Sequence, residues 1–150
     1  MLLVIDVGNT NTVFALVNSN GIFHKWRMST IVNRTADEYE TYLNAFLSKI
    51  NKFILSDVVI SSVVPSVNYE LQSFISNFFK IIPKIIGDNI SPNLKISLDR
   101  PDEVGADRLV NSLAASRIYG SPIIVIDFGT ATTFDIVDKN GSYIGGIISP

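Results

Sequence analysis

Hydrophobic and polar residues follow two different periods along the chain, and the opening shows the shorter one. Three apolar runs, LLVID, TVFALVN and GIFHKWRMS, are separated by the Gly- and Asn-containing segments VGNTN and NSNG. Runs rich in branched and aromatic residues with such punctuation are typical of strands joined by tight turns. The opening is therefore predicted to form an antiparallel meander of three strands.

The segment TADEYETYLNAFLSKI changes to a helical period. It begins with Thr35 as a candidate N-cap and has Glu38 three residues later, which is the spacing of a capping box. Its apolar residues recur at intervals that place them on one stripe of a helix. The stripe consists of Tyr39, Tyr42, Leu43, Phe46, Leu47 and Ile50.

Strand and helix patterns then alternate. DVVISSVVP predicts a strand that ends at Pro65, and SVNYELQSFISNFFK predicts a second amphipathic helix. Its inward residues are Leu71, Phe74, Ile75 and Phe78. KIIG is a short strand candidate, DNISPNLKISLDRPDE reads as a loop, and residues 104–119 read as a helix that ends before Gly120. Strands restart with IIVID, TTFDIVD and SYIGGIIS.

This restart repeats the opening of the chain. IDVGNTNT at 5–12 and IDFGTATT at 126–133 share Ile, Asp, Gly and Thr, so that Thr12 is aligned with Thr133 at an offset of 121 residues. After a contraction of one residue, VNSNG at 17–21 lies over VDKNG at 137–141. Both copies read as strand, polar Gly/Thr turn, strand, Asn-Gly turn and strand. Such repetition predicts two structural copies.

The repeated phrase carries groups that suit a phosphate site. Gly8 and Gly129 allow backbone N–H groups to approach an anion closely. An aspartate at the end of the preceding strand, Asp6 or Asp127, can hold a cation or metal-bound water that faces a phosphate. Neutral donors follow each glycine, namely Asn9, Thr10, Thr130 and Thr132. Ordinary hairpin turns use the same residue types, but the duplication favours a pair of phosphate-binding turns.

Composition and charge argue against several other classes. The net charge of −2, from 12 basic and 14 acidic residues, provides no basic face for a nucleic acid. The chain has no cysteine for a disulfide or a thiolate site, and the lone His24 makes no zinc site. MLLVID is not a signal peptide, and no apolar stretch approaches the ~20 residues of a spanning helix. We therefore expect a soluble, cytoplasmic protein with neither nucleic-acid nor membrane partners.

Four segments, DVGNTNT, ISSVVPSV, PDEVGADRLVN and DFGTATTFDIV, together resemble the type III pantothenate kinases in order and spacing. Some members of this family were named Bvg accessory factors, and the family lies in the actin-like superfamily with acetate kinases, sugar kinases and Hsp70 ATPases. The resemblance runs from Met1 to Pro150. It implies an α/β, actin-like (ribonuclease H-like) duplicated fold, in which a three-stranded meander joins a mixed sheet with flanking helices.

The resemblance also implies a division into domains. Residues 1–118 would form the first actin-like domain, which holds the ATP hairpin and the pantothenate segment. Residues 119–150 would begin a second domain that is truncated, because chains of this family are usually much longer. We expect the 150-residue chain alone to show little or no pantothenate-dependent release of ADP.

The implied activity is ATP-dependent phosphorylation of pantothenate, the first step of coenzyme A biosynthesis, by a homodimeric enzyme. ATP phosphates and magnesium would be bound by Asp6, Val7, Gly8, Asn9, Thr10, Asn11, Thr12 and Val13, and Thr130 would also contact ATP. Pantothenate would be bound by Gly105, Ala106, Asp107 and Arg108, with Asp107 as the general base. Asp127 would hold a monovalent cation, potassium or ammonium.

The residue chemistry agrees with the roles of Asp107 and Arg108. Phosphoryl transfer depends mainly on positioning and charge neutralisation, so a carboxylate that accepts the hydroxyl proton late is an adequate base. Arg108 offers a planar fork for an oxyanion. Without the surrounding motif, the same pair would indicate only a surface ion pair near a helix start.

Two positions depart from the family pattern. Leu98 stands where the family commonly has tyrosine, and Arg100 stands where it has asparagine before the proline. Two other functions therefore stay open. Another actin-like phosphotransferase or ATPase would share Asp6 and Asp127 but would have no reason to carry EVGADR. A non-catalytic, nucleotide-binding regulatory protein derived from the kinase would explain the departures.

Overall fold

The structure, a computed structural model, describes residues 1–50 and 53–150 and consists of two compact units, Met1–Ile86 and Gly87–Pro150. Each unit contains one sheet. The sequence placed a domain boundary between residues 118 and 119, whereas the contacts divide the chain between Ile86 and Gly87. The helix that precedes residue 120 lies in the second unit because it packs against that unit's strands.

The first unit is a mixed sheet with two helices. Its elements are β1 (Leu2–Val7), β2 (Asn11–Asn18), β3 (Gly21–Ser29), α1 (Ala36–Leu47), β4 (Asp57–Ser62), α2 (Asn68–Phe79) and β5 (Lys84–Ile85). The strand order is β3-β2-β1-β4-β5. Strands β1 to β3 are antiparallel neighbours, which confirms the predicted meander, and β4 runs parallel to β1 and β5.

The core of the first unit lies between this sheet and its helices. Alternate residues of β1, namely Leu3, Ile5 and Val7, are at most 1% exposed, as the period of a strand requires. The helices supply Tyr39, Leu43 and Leu47 from α1 and Leu71, Phe74 and Ile75 from α2. Burial of these apolar side chains is the main stabilising contribution in this unit.

One helix position differs from the predicted stripe. Tyr42 is 49% exposed rather than buried, because it lies at the margin of the apolar face of α1. Its ring instead packs against Arg34, whose guanidinium carbon is 5.1 Å from the ring centroid. Ile50 follows the end of α1 at Leu47 and packs partly buried against the core.

The predicted capping box of α1 is confirmed. The Thr35 hydroxyl accepts a hydrogen bond from the Glu38 N–H, and a Glu38 carboxylate oxygen accepts one from the Thr35 N–H at 2.9 Å. This backbone hydrogen bond lowers the pKa of Glu38. Glu70 of α2 accepts a hydrogen bond from the Ala36 N–H at 2.9 Å and so joins the two helices.

The second unit has a smaller sheet and one helix. Its elements are β6 (Lys95–Ile96), α3 (Ala106–Tyr119), β7 (Ile123–Phe128), β8 (Thr132–Val137) and β9 (Ser142–Ser149). The strand order is β6-β9-β8-β7, with β7 to β9 antiparallel as predicted. The loop predicted before α3 is partly wrong, since it contains β6 and a 3-10 turn at Pro101–Glu103.

The two meanders repeat each other in detail. Leu2 pairs with Val17 in the first, and Ile123 pairs with Val137 in the second. A register shift follows Leu16 in one and Ile136 in the other. The contraction of one residue lies in the first turn, because Val7 pairs with Thr12 whereas Phe128 pairs with Thr132. Thr12 therefore corresponds to Thr132, and the sequence alignment with Thr133 was wrong.

Candidate functional site

The first repeated turn is an exposed loop that Thr30 braces from behind. The Gly8 N–H donates to the Asn11 carbonyl at 3.0 Å, and a Cβ on Gly8 would lie only 3.3 Å from that oxygen. The Thr30 hydroxyl donates to the Gly8 carbonyl at 2.7 Å, and the Thr30 N–H donates to the Thr10 carbonyl at 2.9 Å. The Gly8 and Thr10 carbonyls are thus hydrogen-bonded to Thr30. This suits a loop that presents its other polar groups to an anion.

The side chains of the predicted ATP segment range from exposed through half-buried, as for Asn11 and Val13, to fully buried. Asp6, Asn9 and Thr10 are exposed, whereas Val7 and Thr12 are at most 1% exposed. The Thr12 hydroxyl lies 2.9 Å from the Thr30 hydroxyl and belongs to the brace. Residues of the buried group could contact a nucleotide only through their backbone.

Sequence reasoning missed Thr30. It immediately follows β3, whose last residue, Ser29, pairs with Asn11, the first residue of β2 after the turn. The sequence signal for Thr30 was only that it follows β3, the meander strand that pairs with β2, and β2 begins directly after the turn. Recognising that signal requires the strand register.

The second repeated turn resembles the first but is shorter. The Gly129 N–H donates to the Ala131 carbonyl at 3.1 Å, and Thr130 is exposed. A Cβ on Gly129 would lie 3.6 Å from that carbonyl, which is an ordinary contact. A side chain at Gly8 would therefore require a small shift of the Asn11 carbonyl, whereas one at Gly129 would not.

Asp127 precedes this second turn and is held by α3. Its Oδ2 accepts a hydrogen bond from the Asn111 amide at 3.1 Å. Asn111 lies four residues after Asp107, so the two side chains occupy the same side of α3. The sequence did not single out Asn111, although it stands inside the segment PDEVGADRLVN.

The predicted pantothenate segment forms the start of α3. Gly105 is the N-cap, with no side-chain cap, and Ala106 is buried. Asp107 lies in the first turn of the helix and is partly exposed. The positive end of the helix dipole favours a carboxylate at this place. The start of α3 therefore presents an accessible carboxylate.

Arg108 points into the second unit and meets a buried carboxylate. Its Nε donates to Oδ1 of Asp135 on β8 at 2.8 Å, and its Nη2 lies 2.6 Å from the same oxygen. The Tyr143 hydroxyl also donates to Oδ1 of Asp135, at 2.6 Å. These three residues, called the Asp135 cluster below, include two side chains that the sequence did not assign to the site.

The two departures from the family pattern have structural partners. Leu98 packs against the small apolar cluster of Leu94, Leu109 and Tyr143. Arg100 forms an exposed ion pair with Glu103, which contributes little to stability. Leu98 therefore contributes an apolar contact to the core of this unit.

The carboxylate near the first turn suits a magnesium ion that binds together with the phosphates of a nucleotide. No group of three or more metal-binding side chains occurs within residues 1–50 and 53–150. Magnesium commonly takes only one or two protein carboxylates, together with waters and substrate phosphates. The exposed Asp6 beside the first turn meets that requirement.

A family model for type III pantothenate kinases matches residues 2–150. The chain belongs to the type III pantothenate kinase family. A type III pantothenate kinase from Paramagnetospirillum magneticum is 50% identical over 153 residues, which cover all of this chain and 59% of that relative. The chain thus spans about three fifths of the length of the kinase it matches.

Solved structures of low sequence identity have the same fold as this member of the type III pantothenate kinase family. The activator of 2-hydroxyisocaproyl-CoA dehydratase from Clostridium difficile, solved with bound ADPNP, matches 99% of the chain and 45% of its own, at 12% identity and a TM-score of 0.54. A Baf family protein from Campylobacter jejuni matches 99% and 54%, at 22% identity and a TM-score of 0.51. The predicted actin-like α/β fold is thereby confirmed. In the described part of the chain, no helix has the length and apolar character needed to cross a membrane.

Proposed function

We propose that the protein transfers the γ-phosphoryl group of ATP to the hydroxyl of pantothenate, the first step of coenzyme A biosynthesis. The observation that carries the proposal is the family-specific segment EVGADR at the start of α3, with Asp107 partly exposed in the first helical turn. Family membership gives the substrate class. The start of α3 gives a carboxylate and a guanidinium with distinct tasks.

The first repeated turn is the proposed phosphate site. Residues 6–13 bind the ATP phosphates, with magnesium at Asp6, and Thr130 of the second turn contacts ATP. When bound, magnesium neutralises charge on the transferring phosphoryl group. The brace from Thr30 keeps the Gly8 and Thr10 carbonyls turned away from that charge.

Asp107 is the proposed general base. It accepts the proton of the pantothenate hydroxyl as that oxygen forms its bond to phosphorus. In a loose transition state this proton leaves late, so a carboxylate needs no large pKa shift to be effective. Its task is mainly to orient the hydroxyl, and the rigid start of α3 supports that task.

Arg108, Gly105 and Ala106 complete the proposed pantothenate site. The Arg108 guanidinium provides a directional partner for the pantothenate carboxylate. Asp127, oriented by Asn111, is the proposed ligand of potassium or ammonium. Assembly as a homodimer and a cytoplasmic location are further parts of this proposal, and the family resemblance supports both.

The function is tested by measuring ADP release with pantothenate as acceptor, using the longest product that the gene encodes. Acetate and sugars serve as competing acceptors, and Asp107→Asn is compared with wild type. We expect pantothenate to be preferred and the variant to retain pantothenate binding while its rate falls about 10²- to 10⁴-fold.

Asp102→Asn provides the matched control, because Asp102 is an exposed acid in the 3-10 turn just before α3. It should leave the rate unchanged. Turnover of acetate or a sugar in preference to pantothenate would favour another actin-like phosphotransferase. Binding of ATP without any turnover would favour a regulatory protein. A fully active Asp107→Asn variant would exclude this residue as the base.

A further inference from the structure

The carboxylate of Asp135 is almost completely buried. Its residue is 1% exposed and lies in the middle of β8. A buried carboxylate is strongly unfavourable unless charged and hydrogen-bonding partners compensate for the lost water. Arg108 supplies the opposite charge, and Tyr143 supplies a second hydrogen bond to the same oxygen. The Asp135 cluster is therefore a built polar site rather than a chance surface contact.

Tyr143 is suited to remain a donor to this carboxylate. Its side chain is 1% exposed, and its ring packs in the apolar cluster with Leu94 and Leu109. Burial raises the pKa of Tyr143 well above its usual value, and the hydrogen bond to Asp135 raises it further. The hydroxyl consequently stays protonated at any physiological pH.

The backbone of β9 leaves room for the Arg108 side chain. Gly146 pairs with Asp135 across the two strands. A Cβ on Gly146 would lie 2.5 Å from Arg108 Nη2, 2.9 Å from Asp135 Oδ1 and 2.0 Å from the Phe134 carbonyl. Any side chain at this position would therefore collide first with the Phe134 carbonyl and also with the guanidinium in its present place.

The first meander shows that this fold does not need the cluster. At the position of Asp135 it carries Ala15, and at the position of Gly146 it carries Lys25, and these two residues pair in the same register. Ala15 is buried with no ionisable group. The same strand arrangement thus forms without a buried acid, and in the second copy the acid is present together with its partner Arg108.

We infer that Asp135 is a positioning residue that, with Tyr143, fixes the Arg108 guanidinium for recognition of the pantothenate carboxylate. This inference rests on the proposed function. The Arg108 side chain is 16% exposed, and its Nη2 is buried without a hydrogen bond among the described residues, so the guanidinium retains donor capacity while its Nε is bonded to Asp135. Fixing the guanidinium in advance reduces the freedom that is lost when the substrate binds.

The main test compares Asp135→Asn with wild type in the longest gene product. Asparagine keeps an acceptor oxygen but removes the charge that holds Arg108. We expect the KM for pantothenate to rise about 10- to 100-fold, the effect of a lost supporting partner, while the KM for ATP changes less than about twofold. Asp138→Asn is the matched control, because Asp138 lies three residues further in the exposed turn after β8, and it should leave both KM values unchanged.

A second variant and a second readout keep the inference testable if Asp135→Asn folds poorly. Tyr143→Phe keeps the ring in the core and removes only the hydroxyl, so we expect a smaller rise in the same KM, about 2- to 10-fold. Hydrogen exchange of the Arg108 Nε–H, followed by NMR, should be slow in wild type and faster in both variants.

The outcomes separate this inference from the proposed function. A wild-type protein that does not phosphorylate pantothenate would contradict the function, whereas exchange at Arg108 would still report whether Asp135 holds the guanidinium. Equal exchange in wild type and variants would overturn the inference. So would a parallel rise in the KM values for ATP and pantothenate, which would indicate a purely structural ion pair.

Discussion

The two meanders share a backbone plan but bury opposite faces. In the first copy Leu3, Ile5 and Val7 are at most 1% exposed, whereas the matching residues Ile124, Ile126 and Phe128 are 61%, 48% and 82% exposed. In the first unit α1 and α2 pack on this face. In the second unit α3 contacts the other face, through Asp127 and Asp135.

This difference shows which properties the repeat determines. Strand lengths, register, the position of the bulge and the Asn-Gly turn follow from the repeated residues. Within the 150 residues, the covered face is the one on which helices pack: α1 and α2 in the first unit and α3 in the second. In this 150-residue chain, apolar side chains that form the core of one copy are therefore exposed in the other.

The largest expected effect separates the matched residues Ile5 and Ile126. Ile5 is 0% exposed, so Ile5→Ala should leave a cavity and lower the free energy of unfolding by about 2–5 kcal/mol. Ile126→Ala removes a side chain that is already half exposed and should lower it by less than about 1 kcal/mol. Urea denaturation of the 150-residue chain measures both. Equal losses of unfolding free energy in the two variants would contradict the difference in burial between Ile5 and Ile126.

A second comparison concerns the two strand-end aspartates. Asp6→Ala should weaken magnesium-dependent binding of ATP at least about tenfold, because the proposed metal ligand is lost. Asp127→Ala should instead reduce the activation of the longest gene product by potassium or ammonium. Titration of ATP with and without magnesium measures the first effect, and initial rates in sodium, potassium and an organic buffer measure the second. Identical responses of the two variants would show that the aspartates do not have separate tasks.

The exposed face of the second sheet provides a third comparison. Ile147 lies on this face beside Phe134 and is 65% exposed. Exposed apolar patches and sheet edges favour association, so Ile147→Asp should shift the 150-residue chain towards monomer in sedimentation velocity. Ile54 is 85% exposed but lies in the first unit, and Ile54→Asp is the control that should have little effect. Similar shifts in both variants would indicate a general effect of charge.

Local patterns were sufficient to predict much of the fold. Alternation predicted the strands of both meanders, and the spacing of Thr35 and Glu38 predicted the start of α1, because these signals lie within a few residues of one another. The family segments likewise indicated Asp6, Asp107 and Asp127 as site residues. Their roles stay predictions, since the described contacts concern only the protein's own groups.

The Asp135 cluster could not be predicted in the same way. Arg108 and Asp135 are separated by 27 residues, and their contact depends on how α3 packs on β8. In the sequence, Asp135 stands in the strand TTFDIV among both polar and apolar residues, which is an equally good sign of an exposed strand position. The one available signal was that Asp135 corresponds to Ala15 in the first copy. This comparison shows that the two copies differ here, but it does not identify Arg108 as the partner of Asp135. The prediction that Tyr42 is buried was wrong for a related reason, because the helical period does not show where the apolar face ends.

The smallest expected effect separates the Asn-Gly turns, which are closed by Asn18 in one copy and Asp138 in the other. Asn18 Oδ1 accepts the Asn20 N–H at 2.8 Å, whereas Asp138 Oδ1 accepts the N–H groups of Asn140 and Ser142 at 2.9 and 2.8 Å. The bond from Ser142, with smaller contributions from Asn140, lowers the pKa of Asp138 below its usual 3.8. Ionised Asp138 therefore stabilises its turn above the unfolded pKa, and this contribution is lost as the pH falls through the lower folded value. NMR titration from about pH 6 to about pH 2 should move the Asn140 and Ser142 amide signals with a midpoint below 3.8 and leave the Asn20 signal unaffected. Asp138→Asn should abolish the titration while keeping the turn, and a midpoint at or above 3.8 would contradict the assignment.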